Sequence, residues 1–164
     1  MSYNIKYSVP VDVAIEDAVE SVRKQVKRRT YLAANELRNS ALIVLRGQRS
    51  GRRYKVPGTY RKQRDKVDGK MKRGRYYTAS DPGEPPAVRT GTFRNSWQVS
   101  QTPVREIFGS FTARIESDLK TDSGHVLGEV LEDGTPRMAP RPYVQRTLEK
   151  AEPKIARIYS EPYD

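Results

Sequence analysis

Cysteine is absent from this chain of 164 residues, which excludes disulfide staples and thiolate metal sites and suits a protein made in a reducing cytoplasm. Histidine occurs once, as His125. A lone histidine in a polar turn, with no cysteine to join it, reads as a surface or capping group rather than a catalyst. No apolar run approaches the length of a membrane span, and the opening Met1-Ser2-Tyr3-Asn4-Ile5-Lys6 lacks the apolar core of a signal peptide. Apolar residues make up only 35% and the mean hydropathy is −0.82, so the expected core is thin and part of the chain belongs to an arm or an interface. The phosphate-cradling, dinucleotide-binding, nucleophile-elbow and zinc-protease motifs are all missing. Glu129, Glu132 and Asp133 lie close in sequence, and acidic clusters can hold Mg²⁺. They also flank an apolar stripe on a short helix, which favours solvent or a neighbouring subunit as their partner. The expectation is no catalysis, no cofactor and no metal.

Positive charge is plentiful but unevenly placed. The net charge is +11, and residues 46–75 account for all of it. Thirteen basic side chains (Arg46, Arg49, Arg52, Arg53, Lys55, Arg61, Lys62, Arg64, Lys66, Lys70, Lys72, Arg73 and Arg75) stand there against Asp65 and Asp68. A basic segment on an otherwise balanced chain implies an acidic partner for that segment. Its glycines exclude continuous helix, while Tyr54 and Val56 at one end and Tyr76 and Tyr77 at the other mark the two roots of a long hairpin arm over residues 46–79. Tyr54, Tyr60, Tyr76 and Tyr77 beside arginines can contact DNA, since guanidinium groups neutralise phosphate and rings stack on bases. The same residues can grip an acidic protein neighbour or form a solvated loop. Apart from Arg46, the basic residues of this segment are the candidate contacts with partner or DNA.

The remaining pattern is that of one α+β domain over 1–164. Residues 1–10 read as an extended lead-in, and Asp12 as a cap. From Val13 to about Leu45, apolar residues recur at spacings of three, four and seven with no Gly or Pro. Such a helix of roughly 30 residues spans about 45 Å. It must bend or project toward a neighbour. The polar patch Lys24–Thr30 is the expected break, and Lys27-Arg28-Arg29 an expected solvated face. Residues 80–96 form a Pro-rich strap, fixed by Pro82, Pro85 and Pro86, followed by a short helix capped by Thr90. Trp97 and Val99 begin a strand that Pro103 ends. Ile107, Gly109, Phe111, Ala113 and Ile115 alternate as one further strand, and Phe108 suggests that both of its faces are covered. Val126 to Leu131 form a short helix stopped by Gly134. A last helix starts near Tyr143, with Pro153 kinking or restarting it. The expected architecture is a long N-terminal and a C-terminal helix packed on a small antiparallel sheet.

Two stretches carry a family likeness. The first is Pro82-Gly83-Glu84-Pro85-Pro86-Ala87-Val88, followed by Thr90-Gly91 and Phe93-Arg94-Asn95-Ser96. The second is Leu131-Glu132-Asp133-Gly134-Thr135, followed by Met138-Ala139-Pro140-Arg141-Pro142-Tyr143. In this order, just before a terminal helix, they resemble the neck or tail-completion family of small tail-component proteins in long-tailed bacteriophages. The resemblance covers about a quarter of the chain, and the residues around 57–74 look like an insertion that it does not explain.

The resemblance implies a virion structural protein, made in the host bacterial cytoplasm. It would form a homo-oligomeric ring at the head-to-tail junction, six copies being favoured and twelve the alternative. Its implied partners are connector or head-closure proteins and tail tube proteins, with DNA passing through the lumen and no membrane. It also points to Glu84, Arg94, Glu132, Arg137, Met138 and Arg141 as subunit contacts, although Arg137–Pro142 also reads as a rigid lead-in to the last helix. The rival reading is a free-standing nucleic-acid-binding protein that uses the basic arm.

Overall fold

A computed structural model describes residues 11–56, 74–100, 105–107 and 110–163. Its first element, α1 (Val11–Arg46), is an unbroken helix of 36 residues, about 54 Å long at 1.5 Å per residue. The break expected at Lys24–Thr30 does not occur, because the polar residues there are satisfied without it. Thr30 Oγ1 donates to the Val26 carbonyl at 2.9 Å. Arg29, expected on a solvated face, is instead buried. Its guanidinium donates to the Glu161 and Pro162 carbonyls at the far end of the last helix and stacks over the Tyr163 ring at 4.0 Å. A cation there also complements the negative end of that helix. Asp12 lies inside the first turn of α1 rather than ahead of it.

The last helix, α4 (Val144–Ser160), runs antiparallel to α1. The Tyr159 hydroxyl meets Thr30 Oγ1 at 3.2 Å, and Lys154 pairs with Glu36 at 2.9 Å. Between them the buried residues are small, Ala33, Ala34, Ser40, Ala41 and Ala151, so the helices approach closely but bury little apolar area per residue. Pro153 does not restart α4. The fully buried Ala151 just before it and the Lys154 ion pair just after it hold both halves against α1.

The strands form three separate two-stranded antiparallel ladders among the described residues. β1 (Arg53–Lys55) pairs with β2 (Tyr76–Thr78), with Tyr54 opposite Tyr77. β3 (Gln98–Val99) pairs with β6 (Ile115–Glu116). β4 (Arg105–Ile107) pairs with β5 (Ser110–Thr112). The single strand expected from Ile107 to Ile115 is therefore divided among β4, β5 and β6. Ile107 faces Ser110 across the ladder, so β4 and β5 are separate antiparallel strands. Alternation reports extended backbone, not the continuity of one strand. The expectation for Phe108 lies outside the described residues, as do those for residues 1–10.

Two short helices are the remaining elements among the described residues. α2 (Thr92–Asn95) is capped by Gly91 at φ 90°, one residue after the expected Thr90. Thr90 Oγ1 still accepts a long hydrogen bond from the Thr92 amide at 3.4 Å. α3 (Leu127–Asp133) ends at Gly134 as expected, with φ 77° and ψ −169°.

Candidate partner-binding site

The two motif runs meet in space. Strap and α4 lead-in are joined by the Gly83 amide, which donates to the Pro140 carbonyl at 3.1 Å. Arg141 Nη1 donates to Ser80 Oγ at 2.6 Å, and Arg146 Nη2 donates to the Gly83 carbonyl at 3.0 Å. Beneath these bonds, Phe93, Trp97 and Tyr143 pack edge to face with centroids 5.7–6.0 Å apart, a favoured geometry for aromatic rings. Tyr143 is the hub at 4% exposure. Its hydroxyl donates to the Gly128 carbonyl at 3.3 Å, and burial, reinforced by the charges of Glu132, Asp133 and Glu129, holds its pKa above the usual phenol range. A side chain at Gly128 would meet that hydroxyl at 2.9 Å. α1 is tied to the same unit by Arg38, whose Nε donates to the Trp97 carbonyl at 2.8 Å.

The second motif is explained mostly by its own folding. Glu132 Oε2 accepts from the Tyr143 and Val144 amides at 2.9 and 3.2 Å, placing a carboxylate on the N-terminus of α4, where it satisfies orphan donors and complements the dipole. A Cβ on Gly134 would lie 2.6 Å from the Met138 carbonyl. Thr135 and Met138 exchange backbone bonds of 2.8 and 3.0 Å, and the Arg141 amide donates to the Leu131 carbonyl at 2.8 Å. Arg137 is left exposed.

Glu84 is likewise turned inward. Its carboxylate accepts from Ser50 Oγ at 2.7 Å, from the Ser50 amide at 3.1 Å and from the Asp81 amide at 3.0 Å. The Asp81 amide, then the Ser50 hydroxyl and amide, hold its pKa down at about 2. The same junction captures Arg49. Its Nη2 donates to the Val44 and Pro86 carbonyls at 2.9 and 3.1 Å, and burial lowers its pKa. Arg49 thus clamps the end of α1 to the strap instead of facing outward with the arm.

The arm's root is the β1–β2 ladder, lengthened by bonds from the Val56 amide to Arg75 and from the Ala79 amide to Arg52. Tyr54 and Tyr77 stack at 6.0 Å, and Arg53 lies over the Tyr76 ring at 4.6 Å. Arg52, Arg53, Lys55 and Arg75 are exposed there. Arg61, Lys62, Arg64, Lys66, Lys70, Lys72 and Arg73 lie outside the described residues.

Between strap, α3 and arm root lies an apolar groove of about 430 Å³. Leu45, Val88, Leu119, Leu127, Leu131 and Met138 line it, and among the described residues its charged lining is Arg89, Arg94 and Arg141. Of the six residues named as subunit contacts, Glu84, Glu132 and Arg141 are engaged within the chain, Arg94 and Met138 border this groove, and Arg137 faces solvent.

Sequence reasoning missed the clamp roles of Glu132, Arg49 and Arg29. Arg29 and Arg49 join segments distant along the chain and Glu132 reaches the next helix, none of which leaves a helix or strand spacing signal. His125 sits in an exposed turn closed by Thr121. Among the described residues no group of three His, Cys, Asp or Glu side chains is placed to hold a metal ion, and no helix is long and apolar enough to cross a membrane. No family model, curated protein or solved structure matches the chain.

Proposed function

We propose that this chain is a virion structural protein of a tailed bacteriophage, a non-enzymatic ring subunit at the head-to-tail junction that joins connector to tail. The observation that carries this reading is the joining of the two family-like runs. Residues 80–96 and 131–143 lie far apart in sequence, yet they form one unit through Arg141–Ser80, Gly83–Pro140 and the Phe93–Tyr143 contact. Motifs that resemble one family at two places are therefore the two halves of one structural piece. Small buried residues between α1 and α4, a projecting helix and an apolar groove further favour a protein that completes its burial on assembly. Rings close through heterologous contacts, in which unlike patches on successive subunits meet.

Loss of the gene from its phage should leave filled heads and separate tails, and supplying the protein should join them. Normal joined particles made without it would exclude the role.

A second reading, a free-standing nucleic-acid-binding protein, draws support from the exposed tyrosines and cations at the arm root. A salt-sensitive complex of a monomer with DNA would favour it, whereas a DNA-free oligomer favours the first.

A further inference from the structure

We propose that the first third of α1 from one copy lies in the strap–α3 groove of the next copy, so that two unlike surfaces of the same chain meet head to tail. This rests on the homo-oligomer part of the reading above and not on the virion part.

Along α1, Ile15, Val19, Val22 and Val26 recur at spacings of four, three and four, which puts them in one stripe. Packing by α4 stops near Arg29, and residues 15–24 are exposed throughout. Ile15, Val19 and Val22 are 58%, 53% and 42% exposed. A contiguous apolar stripe left in water marks a contact surface, and anchors on successive turns are the pattern by which a helix enters a groove.

The groove has the matching character. Val88, Leu119, Leu127 and Met138 give it apolar walls, and Arg89 and Arg94 stand in its lining. Among the described residues no acidic side chain lines it. The helix segment from Ile15 to Val22 carries Glu16, Asp17 and Glu20 and no Lys or Arg. Acidic helix and arginine-bearing groove are therefore complementary, which sets register and orientation more than affinity.

The first third of α1 cannot reach the groove of its own chain. Leu45 at the end of α1 lines the groove, and Ile15 lies thirty residues earlier on the same unbroken helix, about 45 Å away. An α1 segment lying in the groove therefore comes from a second copy, and because stripe and groove differ, each copy that donates a helix can also accept one. Such contacts propagate until they close.

Light scattering and native mass spectrometry on the full chain test this. The wild type should assemble beyond a dimer. Val19→Asp with Val22→Asp removes the stripe at exposed positions, and Arg89→Glu with Arg94→Glu reverses the groove's charge. Each variant alone should lose assembly by about tenfold or more in concentration, with an unchanged circular-dichroism melt. Mixed together they should form a one-to-one heterodimer, since the first keeps an intact groove and the second an intact stripe. Restoring complementarity, by adding Glu16→Arg and Glu20→Arg to the groove variant, should recover self-assembly.

A wild type that stays monomeric overturns the proposal. So does a mixture that stays monomeric, or normal assembly of the groove variant beside a monomeric stripe variant, which would mean that stripes pair with each other. A chain that assembles as described but is absent from virions leaves this inference standing and removes the junction reading alone.

Discussion

Residues 80–97 with 127–147, and residues 15–24 of α1, use their side chains in opposite directions. In the first region charge is turned inward onto backbone groups. Glu132 holds two amides of α4, Glu84 holds the Ser50 and Asp81 amides, and Arg141 and Arg146 tie strap to helix. In the second region Ile15, Val19 and Val22 are turned out to water, flanked by charges whose described ion pairs, Glu20 with Arg23 and Lys24, are local. Burial within one copy thus ends where α4 ends. A folded unit and a surface still to be covered are carried on the same helix.

The first region should break most easily at its hub. Tyr143→Ala should cost about 3–5 kcal/mol, the usual range for truncating a buried large aromatic, measured by denaturant unfolding. Phe93→Ala and Trp97→Ala should cost less, about 2–3 kcal/mol, because both side chains are only half-buried. A parent-like melt for Tyr143→Ala would mean that the three rings are not a core.

Gly134→Ala should come next, at about 1–3 kcal/mol, since its φ of 77° and ψ of −169° fall in a region that essentially only glycine occupies, with the Met138 carbonyl in the way of a Cβ. Glu132→Ala removes the cap on α4 and should cost about 1 kcal/mol. Equal stability in Glu132→Ala and its parent would show that the cap bonds do not hold α4.

These positions show what the sequence made legible. The two long helices, the α+β class and the tyrosine roots of the arm were readable because each rests on local periodicity or on glycine and proline placement. Gly134 was readable as a helix stop for the same reason. The split of residues 107–115 among separate strands was not, since alternation alone does not mark where one strand ends and the next begins. The inward use of Arg29, Arg49 and Glu132 was not readable either. A charged side chain is expected in solvent, and here each is held by backbone groups at a helix end, the far end of α4 for Arg29, the end of α1 together with the strap for Arg49, and the start of α4 for Glu132. For the candidate site, Met138, Arg94 and Arg141 were found in sequence and do border the groove, whereas nothing local signalled that the strap would form one of its walls.

The Glu84 junction gives a smaller, pH-dependent effect. Its folded pKa, about 2, lies below the ordinary glutamate value of 4.5, so the stabilisation is present above about 4.5 and is lost as pH falls from there toward 2. Protection factors of strap amides near Asp81 should therefore fall through that window, and Glu84→Gln should abolish the dependence and lower the neutral-pH melt slightly toward the parent's acid value. An unchanged acid profile in Glu84→Gln would assign the transition to another carboxylate.

The smallest effects on stability are expected in the second region and in the arm. Deleting residues 57–74, which hold little apolar content, should leave the melt nearly unchanged while impairing assembly. Reversing Arg61, Lys62, Arg64 and Lys66 to glutamate should do the same, whereas Tyr60→Ala should do much less. A large loss of thermal stability in the deletion variant would mean that the arm contributes to the core.

Hydrogen exchange followed across a wide dilution series compares the two regions in one sample. Amides of 126–147 should stay protected at every concentration, because their bonds are made within one copy. Amides of 15–24 should exchange quickly when dilute and become protected as concentration rises, because their cover comes from another copy by mass action. Protection of 15–24 that does not change with dilution would contradict the account.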